Sequence, residues 1–230
     1  MMTRKAILLS ADPPKMRILG IKSVTETWQH FLLSPSGGAW RNDEIIRLDD
    51  TNREAALAAV RAAKHADYSL LVFAGRGEIR RGDLPWPEAH ILLGDGGPLS
   101  ETELNSGTPR CTIIFDWSNS TKTGPTPPSQ DVGHDNAQFR SQFDQALQRA
   151  EAGLAKIYAS EAEGGDAQGP SFSALLLHAA EAWAKTNHGI LPLPQAVSLV
   201  VEPVPKSNPR LKAEYQGGRR LHHFPLVVSI

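Results

Sequence analysis

Residues 66–77, Ala-Asp-Tyr-Ser-Leu-Leu-Val-Phe-Ala-Gly-Arg-Gly, restrict what this chain can fold into more than any other stretch. Residues 69–73 are a largely apolar run, with Asp67 before it and Gly75 and Gly77 after it. That pattern predicts a short strand buried on both faces, hence a central strand in a sheet covered on both sides. The two glycines flank one long side chain, Arg76, just past the strand's C-terminal end, where open α/β sheets place their ligand crevices. A second run, residues 112–118 (Thr-Ile-Ile-Phe-Asp-Trp-Ser), repeats the arrangement and carries Asp116 and Ser118 beyond its apolar stretch. Two buried strands thus deliver Arg76 and Ser118 toward one crevice.

The remaining periodicity fits the same class. Residues 5–10 read as a strand, ended by the turn Asp12-Pro13-Pro14. Val24, Trp28, Phe31 and Leu32 fall at helical spacing, and that helix stops at Ser34-Pro35-Ser36-Gly37-Gly38. Residues 44–48 form a second strand. Thr51, with Glu54 three residues on, reads as a capping box opening an alanine-rich helix to about His65. Strand, helix, strand, helix, strand is the order of a parallel sheet with helices on both faces. Further on, 83–87 is a proline-containing loop, 90–93 a strand, 99–105 a helical turn, 139–150 a helix and 152–159 a fifth strand. A Gly-rich loop over 161–170 leads to helices over 172–185 and 194–201, and 222–230 closes the chain as a β-branched strand. The proline-rich segment 117–135 is long enough to be a functional or mobile loop.

Composition excludes several classes of function. A formal net charge of −1 over 230 residues offers no electrostatic footprint for nucleic acid or an anionic membrane. No apolar run approaches the length of a transmembrane helix, so a cytoplasmic, soluble protein is expected. The single cysteine, Cys111, excludes an internal disulfide and, lying at the start of an apolar strand, reads as a core residue. One domain over 1–230 is expected. No cofactor or metal motif stands out. The adjacent His222 and His223 would point to opposite faces of a strand, and Gly94-Asp95-Gly96-Gly97 reads as a turn.

At this point the motifs carry a resemblance. Residues 66–77 are similar to the strand and Ser-Gly-His-Gly motif of the caspase and metacaspase superfamily of cysteine peptidases, and Phe115-Asp116-Trp117-Ser118 is similar to its second strand and Asp-x-Cys motif. Residues 28–31, 34–40, 171–173 and 219–226 also resemble bacterial caspase-like proteins, so the resemblance spans nearly the whole chain. It implies a three-layer α/β/α sandwich around a mainly parallel, six-stranded sheet.

The departures from the motifs bear on function. Where the family has the histidine that assists the cysteine thiol, this chain has Arg76, which is permanently protonated and cannot act as a general base. Where the family has the nucleophilic cysteine it has Ser118, a weak nucleophile without a neighbouring base. Metacaspase-like relatives commonly carry an acidic pocket residue on the first helix, and counting back from Trp28 puts Val24 there; Asp116 is kept. The expectation is a pseudo-peptidase that binds rather than cuts: a partner of an active caspase-like enzyme or another effector, in a bacterial stress or antiphage cell-death system, or of itself through a sheet edge at 222–230. The alternatives are an active enzyme whose cysteine was replaced by Ser118 in the laboratory, and a serine-type hydrolase served by His134 or His90. Arg76 itself has two readings, an anion or carboxylate binder, or a residue paired locally with Asp116.

Overall fold

The computed structural model describes residues 2–11, 21–80, 88–117, 136–161, 170–202, 211–217 and 224–230. Their elements run β1 (Arg4–Ala11), α1 (Ile21–Leu33), a 3-10 turn (Asn42–Glu44), β2 (Ile45–Leu48), α2 (Arg53–Ala63) and β3 (Tyr68–Gly75). Then come β4 (Gly77–Arg80), β5 (Glu88–Leu92), β6 (Pro98–Ser100), α3 (Glu101–Leu104) and β7 (Arg110–Trp117). The chain continues through α4 (Asn136–Arg149), β8 (Gly153–Glu161), α5 (Phe172–Thr186), β9 (Gly189–Pro192), α6 (Leu193–Val201), β10 (Leu211–Gly217) and β11 (Pro225–Ser229).

The central sheet has the order β10-β8-β7-β3-β1-β2. Its strands are parallel except β10, which runs antiparallel to β8. Strand alternation divides the core in two. Ala6, Leu8, Leu70, Val72, Ile114, Ala155 and Ile157 point to one face, under Trp28 and Phe31 of α1 and Phe172, Leu176 and Leu177 of α5. Ile7, Leu9, Leu71, Phe73, Ile113 and Phe115 point to the other, over Ala56, Ala59 and Val60 of α2. All eight residues of β3 are buried, as its continuous apolar run requires. The result is the mainly parallel, six-stranded, helix-covered sheet expected of a caspase-like fold.

Two local readings differ from the sequence expectation. The N-cap of α2 is Asn52, whose side chain accepts from the Ala55 N–H at 2.9 Å, and Thr51 forms no capping box with Glu54. Thr51 is drawn away because its carbonyl accepts from Gly94 N–H at 2.9 Å. The final strand lies off the central sheet: β11 pairs with β9, and Val228 N–H donates to Ser36 O at 2.9 Å. Leu226, Val227 and Val228 are apolar on both faces, so this strand is buried throughout. The sheet edge is taken instead by β10, whose Lys212, Glu214 and Gln216 are exposed while Ala213 and Tyr215 pack inward. Residues 12–20, 81–87, 118–135, 162–169, 203–210 and 218–223 lie outside the described residues; among them are the Asp12-Pro13-Pro14 turn, the 83–87 loop, nearly all of the 117–135 loop, and His222 with His223.

Opposite the crevice end of the sheet, four charges are buried together. Arg4, at the start of β1, has a fully buried side chain that donates through both Nη atoms to Gly38 O at 3.1 Å. Its guanidinium lies 4.6 Å from the Trp40 ring centroid and 5.1 Å from that of Phe143. Arg140 of α4 donates twice to Glu44, at 2.8 Å through Nη1 and more closely through Nη2, and also to Ala39 O at 3.2 Å. Asp144 faces Arg4 Nε at 3.5 Å. Gly38 is required here, because its φ is +99° and a Cβ would stand 2.5 Å from the Phe143 ring. Burial opposes the charge of Glu44, but the hydrogen bonds from Arg140 and the Arg41 N–H and the charge of Arg4 outweigh it, and its carboxyl is held below its ordinary range. Asp144 lacks such bonds and burial pushes it up; burial likewise lowers Arg4 to about 10.

Because Glu44 is the better-bonded acid, Glu44→Gln is expected to destabilise the protein by about 3 kcal/mol, as when one partner of a buried ion pair is removed. Asp144→Asn should cost less, since it relieves a carboxylate that burial already disfavours. Urea unfolding of the two variants checks the ranking. The Glu44 contribution is complete above the unfolded carboxyl range and should disappear as pH falls through its depressed folded value, from about pH 4 downward.

Candidate functional site

Strand order places a topological switch between β1 and β3. From β1 the chain crosses to β2 on one side and then to β3 on the other, and the C-terminal ends of strands at such a switch are where open α/β sheets bind ligands. Arg76 stands at that point, directly after Gly75, which pairs with Ala11. The strands meet closely: a Cβ on Gly75 would lie 2.8 Å from Ala11 O and 2.6 Å from the Phe73 ring. On the far side of Arg76, a Cβ on Gly77 would lie 2.3 Å from Trp117 Nε1. Only glycine fits on either side, and Arg76 is the first residue of this turn able to carry a side chain. Its carbonyl accepts from Leu92 N–H at 2.9 Å, tying the turn to the β4–β5 hairpin.

Arg76 is partly buried, and its Nε is inaccessible without a hydrogen-bond acceptor. Among the described residues it enters no ion pair, so the pairing with Asp116 that the sequence allowed is not made. Asp116 lies beside Ala74 in the β3–β7 register, only 2% exposed, and accepts from the Ser173 N–H at 2.8 Å. Ser173 is in the first turn of α5, which Ser171 caps by accepting from the Ala174 N–H. Asp116 therefore neutralises the N-terminus of α5 from within the core.

The other predicted residues are placed as follows. Val24 is on α1, partly buried against the α1/α5 core, and offers no charge. His90 is on β5, opposite Glu78, with Nε2 3.5 Å from Glu88. Cys111 is buried beside Ser69, Ser106 and Thr108, and burial pushes its thiol up, away from reactivity. Residues 94–97 form the β5–β6 turn, with Asp95 accepting from the Gly97 N–H at 2.9 Å. Ser118, which follows the last residue of β7, and His134 lie outside the described residues.

A carboxylate that sequence reading missed, Asp49, follows β2 at the same end of the sheet. It accepts from Ser10 at 3.0 Å, from Thr25 of α1 at 2.9 Å and from Arg47 at 3.0 and 3.1 Å. Burial works against its charge, but Arg47, Thr25 and Ser10 together hold its carboxyl below the usual range. Its only sequence signal is an acidic pair directly after a strand. An open hollow of about 560 Å³ is lined by Asn52, Arg53, Leu57, Arg61 and Asp95 at the start of α2. Of its two arginines, Arg53 is committed to Glu103 and to Pro98 O.

No protein-family model and no curated protein match the sequence. The fold does find a match. The crystal structure of the Drosophila initiator caspase Dronc aligns with a TM-score of 0.56 at 11% identity, covering 99% of this chain and 85% of that one. The likeness establishes a caspase-like fold and leaves the chemistry to the residues in place.

If Asp116 serves as an internal helix anchor, Asp116→Ala should destabilise the protein by about 2 kcal/mol, because it leaves the buried Ser173 N–H without an acceptor. Asp116→Asn keeps an acceptor oxygen and should cost less. Thermal unfolding measures both, and a neutral Asp116→Ala would contradict the anchoring role.

Proposed function

We propose that this caspase-like chain is a pseudo-peptidase, a binding or regulatory protein built on a peptidase fold. The observation that carries the reading is Arg76. It occupies the crevice position where the Gly-x-Gly motif of active relatives presents histidine, and a guanidinium gives up no proton near neutral pH and accepts no hydrogen bond. Two features support it. Asp116 is spent on α5, and Val24 adds an apolar side chain where an acidic one would recognise a basic substrate. His90, on the β4–β5 hairpin that follows Arg76, is turned to Glu88.

The partner in this reading is a protein, either an active caspase-like enzyme or another effector, and the setting is a bacterial stress or antiphage cell-death system. Self-association is a further form of it. There the edge strand β10 offers backbone for pairing, while β11 is already enclosed.

The test is covalent and catalytic. The wild-type protein is expected to show no labelling at Ser118 by a peptidyl phosphonate and no turnover of peptides with acidic or basic residues before the scissile bond. The double variant Arg76→His with Ser118→Cys should also remain without turnover, because the dyad would return to a site whose remaining carboxylate is committed to α5. Mass spectrometry of the labelled protein and a fluorogenic peptide assay read the outcomes; labelling of the wild type, or appreciable turnover by either protein, would overturn the reading.

A further inference from the structure

Arg76 is a fixed charge without a counter-charge. Among the described residues it forms no ion pair, and its Nε–H is buried with no acceptor. Arg4 and Arg140 also have a buried Nε without an acceptor, but Glu44 and Asp144 match their charges, so Arg76 differs in lacking an acceptor and a counter-charge together. Local relief is blocked by the chain itself. Gly75 is wedged against Ala11 and Phe73, Gly77 against Trp117, and the Arg76 carbonyl is held by Leu92. The carboxylates at this end of the sheet do not pair with it: Asp116 holds the Ser173 N–H, and Asp49 receives Ser10, Thr25 and Arg47. Beside Gly77 the indole Nε1 of Trp117 is likewise buried without an acceptor. Arg76 and the neighbouring Trp117 of β7 thus present two buried donors without an acceptor among the described residues.

The chemistry of the missing partner follows from the donor set. A guanidinium offers a planar fork that fits a carboxylate bidentately. A phosphodiester backbone or a phosphate dianion is normally held by several cations or a helix N-terminus. Among the described residues the 75–77 turn carries one cation, the N-terminus of α5 is already neutralised by Asp116, and the chain carries a net charge of −1. One half-buried guanidinium just past a strand end matches one monoanion.

We infer that Arg76 is the receptor for a single carboxylate carried by a bound peptide, either an acidic side chain or a C-terminus. This rests on reading the chain as a binder and adds the chemical class of what it binds.

The experiment uses the full chain labelled with ¹⁵N and three alanine-based pentapeptides: one amidated with a central Asp, one with a free C-terminal carboxylate, and one neutral and amidated. The Arg76 Nε–Hε resonance, identified by its loss in Arg76→Gln, is followed during titration. A carboxylate peptide is expected to shift that resonance and to bind about tenfold more tightly than the neutral peptide. Which of the two charged peptides does so identifies the source of the carboxylate. Arg76→Gln should abolish the preference, and Arg76→Lys should keep part of it, retaining the charge without the fork. Equal affinity for charged and neutral peptides, a preference that survives in Arg76→Gln, or an unmoved Nε–Hε signal overturns the assignment. The signal in the wild type decides this even if the glutamine variant does not fold. Equal binding without cleavage defeats only the carboxylate assignment, whereas cleavage of any of the peptides defeats the binder reading beneath it.

Discussion

β3 has no face in water. Its eight buried residues demand a layer on each side, and α1 with α5 supply one while α2 with the β5–β6 region supplies the other. Placing α1 and α2 on opposite faces makes the chain wind both ways from β1, so the switch point falls between β1 and β3. The position of Arg76 at that switch is therefore a consequence of burying the strand before it. The glycines on either side complete the effect, since contacts with Ala11, Phe73 and Trp117 leave no room for side chains there.

The two ends of the sheet use charge in different ways. At the N-terminal end, Arg4, Glu44, Arg140 and Asp144 form a balanced set, closed by the carbonyls of Gly38 and Ala39 and by two aromatic rings. Such a set binds α4 and the 38–44 segment to the start of β1, and each charge has another against it. At the C-terminal end Asp116 and Asp49 are also matched, one by a helix N-terminus and one by Arg47. Arg76 alone among these buried or half-buried charges has no match among the described residues.

Much of the fold was legible because periodicity is local. The runs at 5–10, 44–48, 69–73 and 112–118 became β1, β2, β3 and β7, and the face of α1 set by Trp28, Phe31 and Leu32 is the one that is buried. What escaped notice was short or two-sided. β4, β9 and β10 carry little apolar signal, and β10 is an edge strand with alternating polar residues. The apolar end of the chain reads as a natural sheet strand, yet it is enclosed beside β9, because Leu226, Val227 and Val228 need cover on both faces and a sheet edge provides too little. The cap is Asn52, one residue past the sequence expectation, since Thr51 and Asn52 are both capable caps and the Thr51 hydroxyl donates instead to Asn52 O while its carbonyl accepts from Gly94 N–H.

Side-chain chemistry belongs to a residue wherever it sits, and so the sequence alone determined that a general base is absent at position 76 and a thiol absent at position 118. It likewise determined the alternation that builds a parallel, helix-covered sheet. Which charges are matched was decided only by tertiary structure, because the partners are far apart in the chain: Asp116 meets Ser173, Arg4 meets Asp144, and Arg140 meets Glu44. The same spacing allowed Arg76 and Asp116 to pair, but in the fold Asp116 accepts from the α5 N-terminus and the guanidinium of Arg76 has a buried donor and no acceptor among the described residues.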